Sequence, residues 1–322
     1  MRILLFAFSL LLIVHAPAQN RAVSKYLVFD DLANFWNAYD KVVITKDSGE
    51  QLKIIKSVYL DKASPELKLT LVLHHHNAQD YLASINTYPE FWKRLRERTR
   101  YLMINYRSIE EALGKLRSIY KKIQIPDINF SLGYFDFGGR TYANKVMIFA
   151  EVVLADGNLD LSKFPPSKDA YQSYIVTAAV YFALHEIIHT RQQDFRSQDL
   201  LTMCVMEGSC DFIAELAMGE PLQRPYLLLG QRYEKKLWES FKKEMNGFAH
   251  DRWLYNKGHV PKGEEDLGYF IGYAICKYYY YNSTDKKKAI RRILNLNYGR
   301  STDIYKFFLQ SGYEDKVMAN DQ

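Results

Sequence analysis

Cysteine is scarce in this sequence. The 322 residues contain three, Cys204, Cys210 and Cys276, and an odd number leaves at least one thiol unpaired. No disulfide framework is therefore expected. With 48% hydrophobic and 25% charged residues, the composition is that of an ordinary globular protein.

A strong excess of one charge is also missing. The formal net charge is +6, and Lys286–Lys288 is the only compact basic run. A basic stripe interleaved with aromatic residues, the usual mark of nucleic-acid binding, does not occur. We expect a solvated basic surface and no nucleic-acid partner.

Long hydrophobic runs are lacking too. The apolar run Ile3–Val14 has twelve residues, and no stretch reaches the roughly 20 that a membrane-spanning helix needs. Arg2 precedes this run and Ala16–Ala18 follows it, which is the pattern of a secretory signal peptide cleaved before Gln19. We predict a signal peptide over residues 1–18, an exported protein (periplasmic or extracellular) and no stable membrane insertion after cleavage. An uncleaved membrane anchor is the alternative, whereas a lipid-modified N-terminal cysteine is excluded because no cysteine is near.

Aromatic residues at helical spacing mark the next part of the chain. The segments Tyr26–Tyr39 and Tyr88–Tyr106 have this spacing and predict helices whose aromatic stripes lie in the core. We assign residues 19–100 to an N-terminal accessory helical region. Residues 101–322 form a second region that carries the motifs described below, and the two are expected to make one continuous globular unit.

A helix and two strands are predicted at the start of this second region. Ser108–Lys121 is strongly amphipathic, with Ser108 as the expected N-cap. Asn129–Asp136 and Asn144–Leu154 read as two strands of a small antiparallel sheet. The pair Gly138–Gly139 between them is expected to form the hairpin turn, and a close approach to another group is the alternative.

The strongest signal in the chain is the motif HEIIH, from His185 to His189. The segment Tyr174–Ile188 is apolar almost all round, which predicts a buried helix. Residues four apart lie one above the other on a helix, so His185 and His189 point to the same side. Two imidazoles in this arrangement can hold zinc, and Glu186 then lies beside the metal as a general base. Two hydrogen-bonded core histidines are the alternative.

A second motif, EGSCD, begins at Glu207, eighteen residues after His189. A catalytic zinc commonly keeps three protein ligands, and His/His/Glu is one such set, so Glu207 is the predicted third ligand. On a predicted helix Glu207–Met218, Asp211 shares a face with Glu207 and is expected to accept a hydrogen bond from a ligand histidine. Cys210 points to a different face and is expected to be a small buried hydrophobic residue.

Together the two motifs resemble the zinc peptidases whose third ligand is a downstream glutamate, H-E-x-x-H…E-x-x-x-D, the gluzincins. They do not fit the metzincin pattern H-E-x-x-H-x-x-G-x-x-H. Gln192 and Phe195 occupy its glycine and third-histidine positions. We therefore expect glutamate, and not a third histidine, to complete the ligand set.

A later helix carries small residues at intervals of four. Gly268, Gly272 and Cys276 recur at this spacing, which lets the backbone of one helix press against another. Tyr269 and Tyr273 lie alongside, and we predict that such a tyrosine donates to an oxyanion at the metal. Packing of both tyrosines in an aromatic core is the alternative.

Five segments extend the resemblance over most of the chain. In order they are LANFWNAYD, FGGRTYANKVMIFAE, HEIIHTRQ, EGSCDFIAEL and DLGYFIGYAICKYYY. They resemble a bacterial family of predicted zinc-dependent proteases, to which the gliding-motility lipoprotein B group looks related, although its lipid-attachment cysteine is absent here. The resemblance covers roughly residues 25–310. It implies an α+β fold, a mostly helical, thermolysin-like zincin core with a small sheet before the HExxH helix.

The resulting expectation is an exported zinc-dependent metallopeptidase with a catalytic domain over residues 101–322. His185, His189 and Glu207 would hold Zn²⁺, while Glu186 would take a proton from a zinc-activated water. The substrate is expected to be a peptide or protein bound along a sheet edge. An exported scaffold or binding protein that retains a structural zinc site is the non-catalytic alternative. The irregular stretch 246–266 adds two further histidines as candidate oxyanion donors, His250 and His259.

Overall fold

The computed structural model describes residues 24–135, 138–154, 176–192, 199–256, 259–261 and 263–319. The predicted signal peptide lies outside the described residues and stays a prediction. No helix among the described residues is long and apolar enough to cross a membrane.

Helices dominate the N-terminal third of the chain. After the two-residue strand β1 (Leu27–Val28) come α1 (Asp30–Val42), α2 (Ser48–Ile54), α3 (Pro65–Leu73), α4 (Ala78–Thr87), α5 (Pro89–Ile104) and α6 (Arg107–Ile119). The predicted aromatic stripes are buried in part: Phe35 and Trp36 of α1 pack on Trp92 of α5, whereas Tyr101 of α5 is exposed. The predicted N-cap at Ser108 is wrong. Ser108 already lies in the first turn of α6, where its hydroxyl donates to the main-chain oxygen of Asn105 at 3.1 Å.

The sheet that follows is mixed and not antiparallel. Its further strands are β2 (Ile128–Ser131), β3 (Gly139–Tyr142) and β4 (Lys145–Phe149), and the strand order is β1-β2-β4-β3. β2 pairs with β4 in parallel, whereas β3 and β4 form the antiparallel hairpin. The predicted hairpin between Asn129–Asp136 and Asn144–Leu154 is therefore wrong. Alternation along a sequence marks a strand but does not reveal its partner, and here a third short strand lies between the two predicted ones.

The rest of the described chain is helical. It comprises α7 (Ala150–Val153), α8 (Val176–His189), α9 (Leu200–Met218), α10 (Pro225–Arg232), α11 (Glu234–Phe241), α12 (Leu267–Asn282), α13 (Lys286–Leu294), α14 (Ser301–Ser311) and α15 (Tyr313–Ala319). The helix predicted for HEIIH is confirmed by α8. The predicted start of the next helix at Glu207 is wrong, because α9 begins at Leu200 behind the N-cap Asp199, whose carboxylate accepts from the N–H of Thr202 at 2.7 Å.

Helices α9 and α12 touch through their backbones. A Cβ atom on Gly272 would lie 1.7 Å from the main-chain oxygen of Cys204, and one on Gly208 would lie 2.0 Å from the main-chain nitrogen of Tyr273. Only glycine permits such an approach. The predicted role of the small residues in α12, close packing against a neighbouring helix, is therefore confirmed.

One cluster of buried side chains extends from Leu27 to Val317. Because β1 pairs with β2, the N-terminal region and the region after residue 100 share one sheet. The boundary drawn at residue 100 stays a prediction.

Candidate metal centre and active site

The centre of the site is formed by two histidines one turn apart on α8. His185 is buried and His189 is partly buried. Their Nε2 atoms lie 3.0 Å apart. The spacing of four residues therefore brings two potential ligand nitrogens together, as the sequence predicts.

Glu207 of α9 brings a carboxylate to the same point. Its Oε2 atom lies 3.3 Å from Nε2 of His185 and 3.2 Å from Nε2 of His189. The Glu207 side chain is almost fully buried. Three potential ligand atoms from two helices thus converge within hydrogen-bonding distance of one another.

Asp211 orients the first histidine, as the sequence predicts. Its Oδ1 atom lies 2.9 Å from Nδ1 of His185 and accepts from the Tyr181 hydroxyl at 2.6 Å. The hydroxyl of Tyr226 donates to Oδ2 at 2.8 Å. A buried carboxylate is costly unless its oxygens are hydrogen-bonded, and both oxygens of Asp211 have partners.

Gln192 orients the second histidine, His189, in the same way, and the sequence did not predict this contact. Its Oε1 atom lies 2.6 Å from Nδ1 of His189. Its amide nitrogen lies 2.8 Å from the main-chain oxygen of Met206 and 2.9 Å from Oγ of Ser209. A carbonyl oxygen only accepts, so the amide nitrogen must face Met206 and Oε1 must face the imidazole. The HExxH-xx-Q spacing, with Gln192 three residues after His189, is the only trace of this contact in the sequence.

These partners determine which nitrogen of each ring carries hydrogen. Asp211 and Gln192 both present acceptors, so Nδ1–H of His185 and Nδ1–H of His189 are the donors. In the neutral rings both Nε2 atoms then carry lone pairs, and these face each other and the Glu207 carboxylate. Three electron-rich atoms at this distance repel one another unless a cation, either a proton or a metal ion, lies among them.

The pKa values of His185 and Glu207 are shifted in the directions that place a proton among these three atoms. Burial alone would lower the pKa of His185, but hydrogen bonds and charges from Asp211 and Glu207 raise it to about 10. Burial would likewise raise the pKa of the Glu207 carboxyl, yet His189 and His185 hold it well below its ordinary value. The metal-free site therefore keeps a carboxylate beside a protonated imidazole.

The three atoms also fit zinc in distance and in type. Zinc binds imidazole nitrogen and carboxylate oxygen at about 2.0–2.2 Å, so neighbouring ligand atoms of a tetrahedral site lie about 3.3–3.6 Å apart. The observed separations of 3.0, 3.2 and 3.3 Å are close to that edge length. His185, His189 and Glu207 could hold zinc with little rearrangement.

Cys210 offers another potential ligand close by. Candidate ligand atoms of His185, His189 and Cys210 all lie within 4.8 Å of one another. However, the Cys210 sulfur is 3.3 Å from the amide nitrogen of Gln192, which contacts the Nδ1 side of His189. Burial, with the charge of Glu207, raises the pKa of this thiol well above its usual range, whereas that of Glu207 is lowered. We therefore favour Glu207 as the third ligand.

Glu186 lies on the face of α8 that meets strand β3. The hydroxyl of Thr141 is 2.9 Å from Oε2 and 2.8 Å from the main-chain oxygen of Glu186. Burial raises the pKa of the Glu186 carboxyl, although the neighbouring His189 and His185 oppose the rise. A raised pKa brings a carboxylate closer to the value at which it exchanges protons near neutrality.

Gly138 and Gly139, at the start of β3, allow this contact and do not form the hairpin turn. A Cβ on Gly139 would lie 2.6 Å from Cγ of Glu186, and one on Gly138 would lie 2.4 Å from the ring of Phe182. The turn itself falls at Ala143 and Asn144, with Ala143 at φ +50°. The expectation of a Gly138–Gly139 turn is thus wrong, and its alternative, close approach to another group, is what these glycines provide.

Of the predicted pair of tyrosines, Tyr269 lies beside His185 and Tyr273 is bonded elsewhere, and the role of either as an oxyanion donor stays a prediction. The Tyr269 ring stacks beside His185 at 6.3 Å, and no hydrogen bond joins its hydroxyl to another described residue. The hydroxyl of Tyr273 instead donates to Oε1 of Glu215 at 2.7 Å and accepts from Lys277 at 2.8 Å, so it faces away from the ligands. Tyr255, which the sequence did not single out, donates to Oε1 of Glu207 at 2.5 Å. Its hydroxyl is thus bonded to the carboxylate of the predicted third ligand.

The two candidate histidines of the irregular stretch, His250 and His259, take part in main-chain hydrogen bonds. His259 is exposed, and its main-chain N–H donates to the oxygen of Asn256 at 2.9 Å. His250 is half-buried, and its main-chain oxygen accepts from the N–H groups of Trp253 and Leu254 at 2.8 and 2.9 Å. Their roles as oxyanion donors stay predictions.

Comparison with known proteins bears on the region that contains these residues. No curated protein and no solved structure matches the chain. The relation to the gliding-motility lipoprotein group is not confirmed. One family model, described as predicted Zn-dependent protease (DUF2268), does match, over residues 164–300. That segment includes α8, α9 and α12, and it is similar to a family of predicted zinc-dependent proteases.

Proposed function

We propose that the chain is a zinc-dependent metallopeptidase whose metal ligands are His185, His189 and Glu207. One observation carries the proposal. Two imidazole nitrogens and a carboxylate oxygen converge at 3.0–3.3 Å, while Asp211 and Gln192 hold the far side of each imidazole. The similarity of residues 164–300 to predicted zinc-dependent proteases supports the same reading.

The chemistry follows from the position of Glu186. Zinc held here would supply Lewis acidity and lower the pKa of water toward about 7. Glu186 accepts a proton from the attacking water and returns it to the leaving amine. Thr141 orients the carboxylate during both transfers, and Gly139 leaves the space that the carboxylate occupies. Tyr269 is the best-placed donor to the developing oxyanion, because its ring lies beside His185 and its hydroxyl is uncommitted within the described part of the chain.

Strand β3 offers a place for the substrate backbone. It is an edge strand of the described sheet, and the main-chain N–H of Phe149 donates to the oxygen of Gly138 at 3.0 Å. Main-chain groups of an antiparallel strand alternate between its two edges. Gly139 and Thr141 therefore direct theirs to the open edge, where an extended peptide can pair with them. The residues that would bind the peptide are those that contact Glu186.

Fold type, location and partners complete the proposal. We assign the helical region around α8 and α9 to a thermolysin-like zincin core and keep the relation to the gliding-motility lipoprotein group as a hypothesis. We propose export through a signal peptide over residues 1–18, to the periplasm or the extracellular space, without stable membrane insertion. The substrate is a peptide or protein, and no nucleic-acid partner is expected.

Replacement of Glu186 by glutamine tests the proposal. Glu186→Gln keeps the size of the side chain and can still accept from Thr141, but it cannot take a proton at neutral pH. On a peptide that the wild type selects from a library, hydrolysis should fall by about 10²–10⁴. Zinc content and melting temperature should stay unchanged. The matched control is Glu239→Gln on the exposed surface of α11, which should behave as the wild type.

Two results would count against this mechanism. Hydrolysis by Glu186→Gln at the wild-type rate would remove Glu186 from the reaction. A zinc-loaded wild type that cleaves no library peptide, with a glutamine variant that loses zinc or stability, would favour the non-catalytic scaffold with a structural zinc.

A further inference from the structure

Tyr255 is an exposed tyrosine that contacts the proposed third ligand. It lies between α11 and α12, outside any helix or strand, and 57% of the residue surface is accessible to solvent. Its hydroxyl nevertheless donates to Oε1 of Glu207 at 2.5 Å. The other oxygen of that carboxylate, Oε2, faces His185 and His189. The two oxygens of Glu207 are thus assigned to different partners.

The glutamate side chain does not by itself determine which of its two oxygens faces the histidines. The last torsion of its side chain is broad, so the carboxylate can turn either oxygen, or both, toward a bound ion. Among the described residues, Tyr255 is the only donor to Oε1 of Glu207. Within the described residues, the Tyr255 hydroxyl is therefore the group that holds Oε1 away from the two imidazoles.

The backbone around Tyr255 is tied down on both sides. The main-chain oxygen of Trp253 accepts from the N–H of Gly268 at 2.8 Å, and Oδ1 of Asn256 accepts from the N–H of Asp266 at 2.8 Å. Trp253 and Asn256 are both buried. This stretch is thus fixed to the start of α12, and the position of Tyr255 is fixed with it.

Tyr255 itself adopts an unfavourable conformation. Its φ is +55°, in the left-handed region where a Cβ atom is crowded and where glycine would be more favourable. Because Tyr255 is exposed, packing in the core does not explain this conformation. Residues in unfavourable backbone conformations are concentrated at functional sites. Here the conformation directs the phenol at Glu207.

We propose that Tyr255 is a positioning residue that makes Glu207 a one-oxygen metal ligand. The inference rests on the proposed zinc site. A carboxylate that binds through Oε2 alone completes a set of three protein ligands and leaves the fourth tetrahedral position for the reaction. A carboxylate that binds through both oxygens would add a ligand atom beside the water, which would crowd that position and raise the coordination number above four. Tyr255 therefore keeps the His/His/Glu site in its catalytic form.

Metal binding by the full-length chain tests this role without a substrate. Metal-depleted wild type, Tyr255→Phe and the control Tyr281→Phe are titrated with Zn²⁺ against a competing chelator, and then with Co²⁺. Tyr281 is exposed to a similar extent, 59%, and lies on α12. Tyr255→Phe should bind zinc about 10–100-fold more weakly, the usual effect of losing a hydrogen bond to a ligand. Its cobalt form should absorb visible light less strongly, because absorption weakens when the coordination number rises above four.

A second variant separates positioning from folding. Tyr255→Gly removes the hydroxyl, as Tyr255→Phe does, and also relieves the left-handed backbone, so its metal-free melting temperature should equal or exceed that of Tyr255→Phe while its zinc affinity is equally low. Zinc affinity within about twofold of the wild type and an unchanged cobalt spectrum in Tyr255→Phe would overturn the inference alone. Failure of the wild type itself to bind zinc would overturn the proposed zinc site and, with it, this role of Tyr255.

Discussion

Helix α9 meets its two main neighbours in opposite ways. Toward α8 it presents the carboxylates of Glu207 and Asp211, and each of them is hydrogen-bonded to an imidazole or a phenol. Toward α12 it presents Gly208, with no side chain at all, and the two backbones touch. Both contacts include residues of the segment EGSCD, and the contact with α12 extends to Cys204. The face toward α8 carries the proposed metal-binding side chains, and the face toward α12 fixes the position of the helix that bears them.

The two faces should therefore respond differently to mutation. The α12 face depends on close backbone packing, which any added atom disrupts. The α8 face depends on imidazole and carboxylate groups that are hydrogen-bonded to one another. In the metal-free protein, a protonated imidazole there can supply the positive charge of the metal. We expect changes on the α12 face to lower the stability of the fold, and changes on the α8 face mainly to lower metal affinity.

The largest effect is expected from Gly272→Ala. The new methyl group would lie 1.7 Å from the main-chain oxygen of Cys204, so α9 and α12 would have to separate. We expect a loss of about 3 kcal/mol in the free energy of unfolding, the upper end of the usual cost of overpacking, measured by urea denaturation. The control is Gly114→Ala on the exposed side of α6, where a Cβ meets nothing within 4 Å. There alanine should stabilise the helix by about 0.5–1 kcal/mol. Equal effects of the two substitutions would contradict the comparison.

Residues of the site that lie on one helix follow from the sequence. The four-residue spacing brings His185 and His189 together, and the same spacing relates Glu207 to Asp211. The close packing of α12 against another helix is also predictable from the sequence, because Gly268 and Gly272 lie four residues apart. In each case a local periodicity carries the information.

Residues that reach the site from irregular segments do not follow from the sequence. Tyr255 lies in a stretch without periodicity, and Gln192 lies just past the end of α8. Their contacts arise only when α9 packs on α8 and when the stretch before α12 folds back on Glu207. The parallel pairing of β2 with β4 escaped prediction for the same reason, since it depends on the path of the chain between the strands.

A smaller effect should follow from a change of pH in the metal-free protein. The pKa of His185 is raised to about 10 in the folded state, against 6.5 for an ordinary histidine. A group whose pKa rises on folding stabilises the fold while it is protonated, so this contribution is complete below about pH 6.5 and is lost as pH rises through about 10. The contribution is on the order of a few kcal/mol.

Thermal unfolding measures this dependence on the full chain after treatment with a chelator. Between pH 7 and 9 the melting temperature of the metal-free wild type should fall, and that of His185→Gln should fall less steeply. Zinc-loaded protein should not show the same fall, because deprotonated ligands bind zinc more tightly. Parallel curves for the metal-free wild type and His185→Gln would show that the imidazole is not the group responsible.

The smallest expected effect is a difference in zinc affinity between variants of the two residues that orient the histidines, Asp211 and Gln192. Asp211 is a carboxylate that accepts from His185, whereas Gln192 is a neutral amide that accepts from His189. Loss of such a partner typically costs 10–100-fold in metal affinity, and a charged acceptor makes the stronger hydrogen bond. We therefore expect Asp211→Ala to weaken zinc binding by about 100-fold and Gln192→Ala by about 10-fold, measured by competition with a chelator. Asp211→Asn, which keeps an acceptor without the charge, should fall between them. An effect of Gln192→Ala as large as that of Asp211→Ala would mean that the orientation of the ring matters and the charge behind it does not.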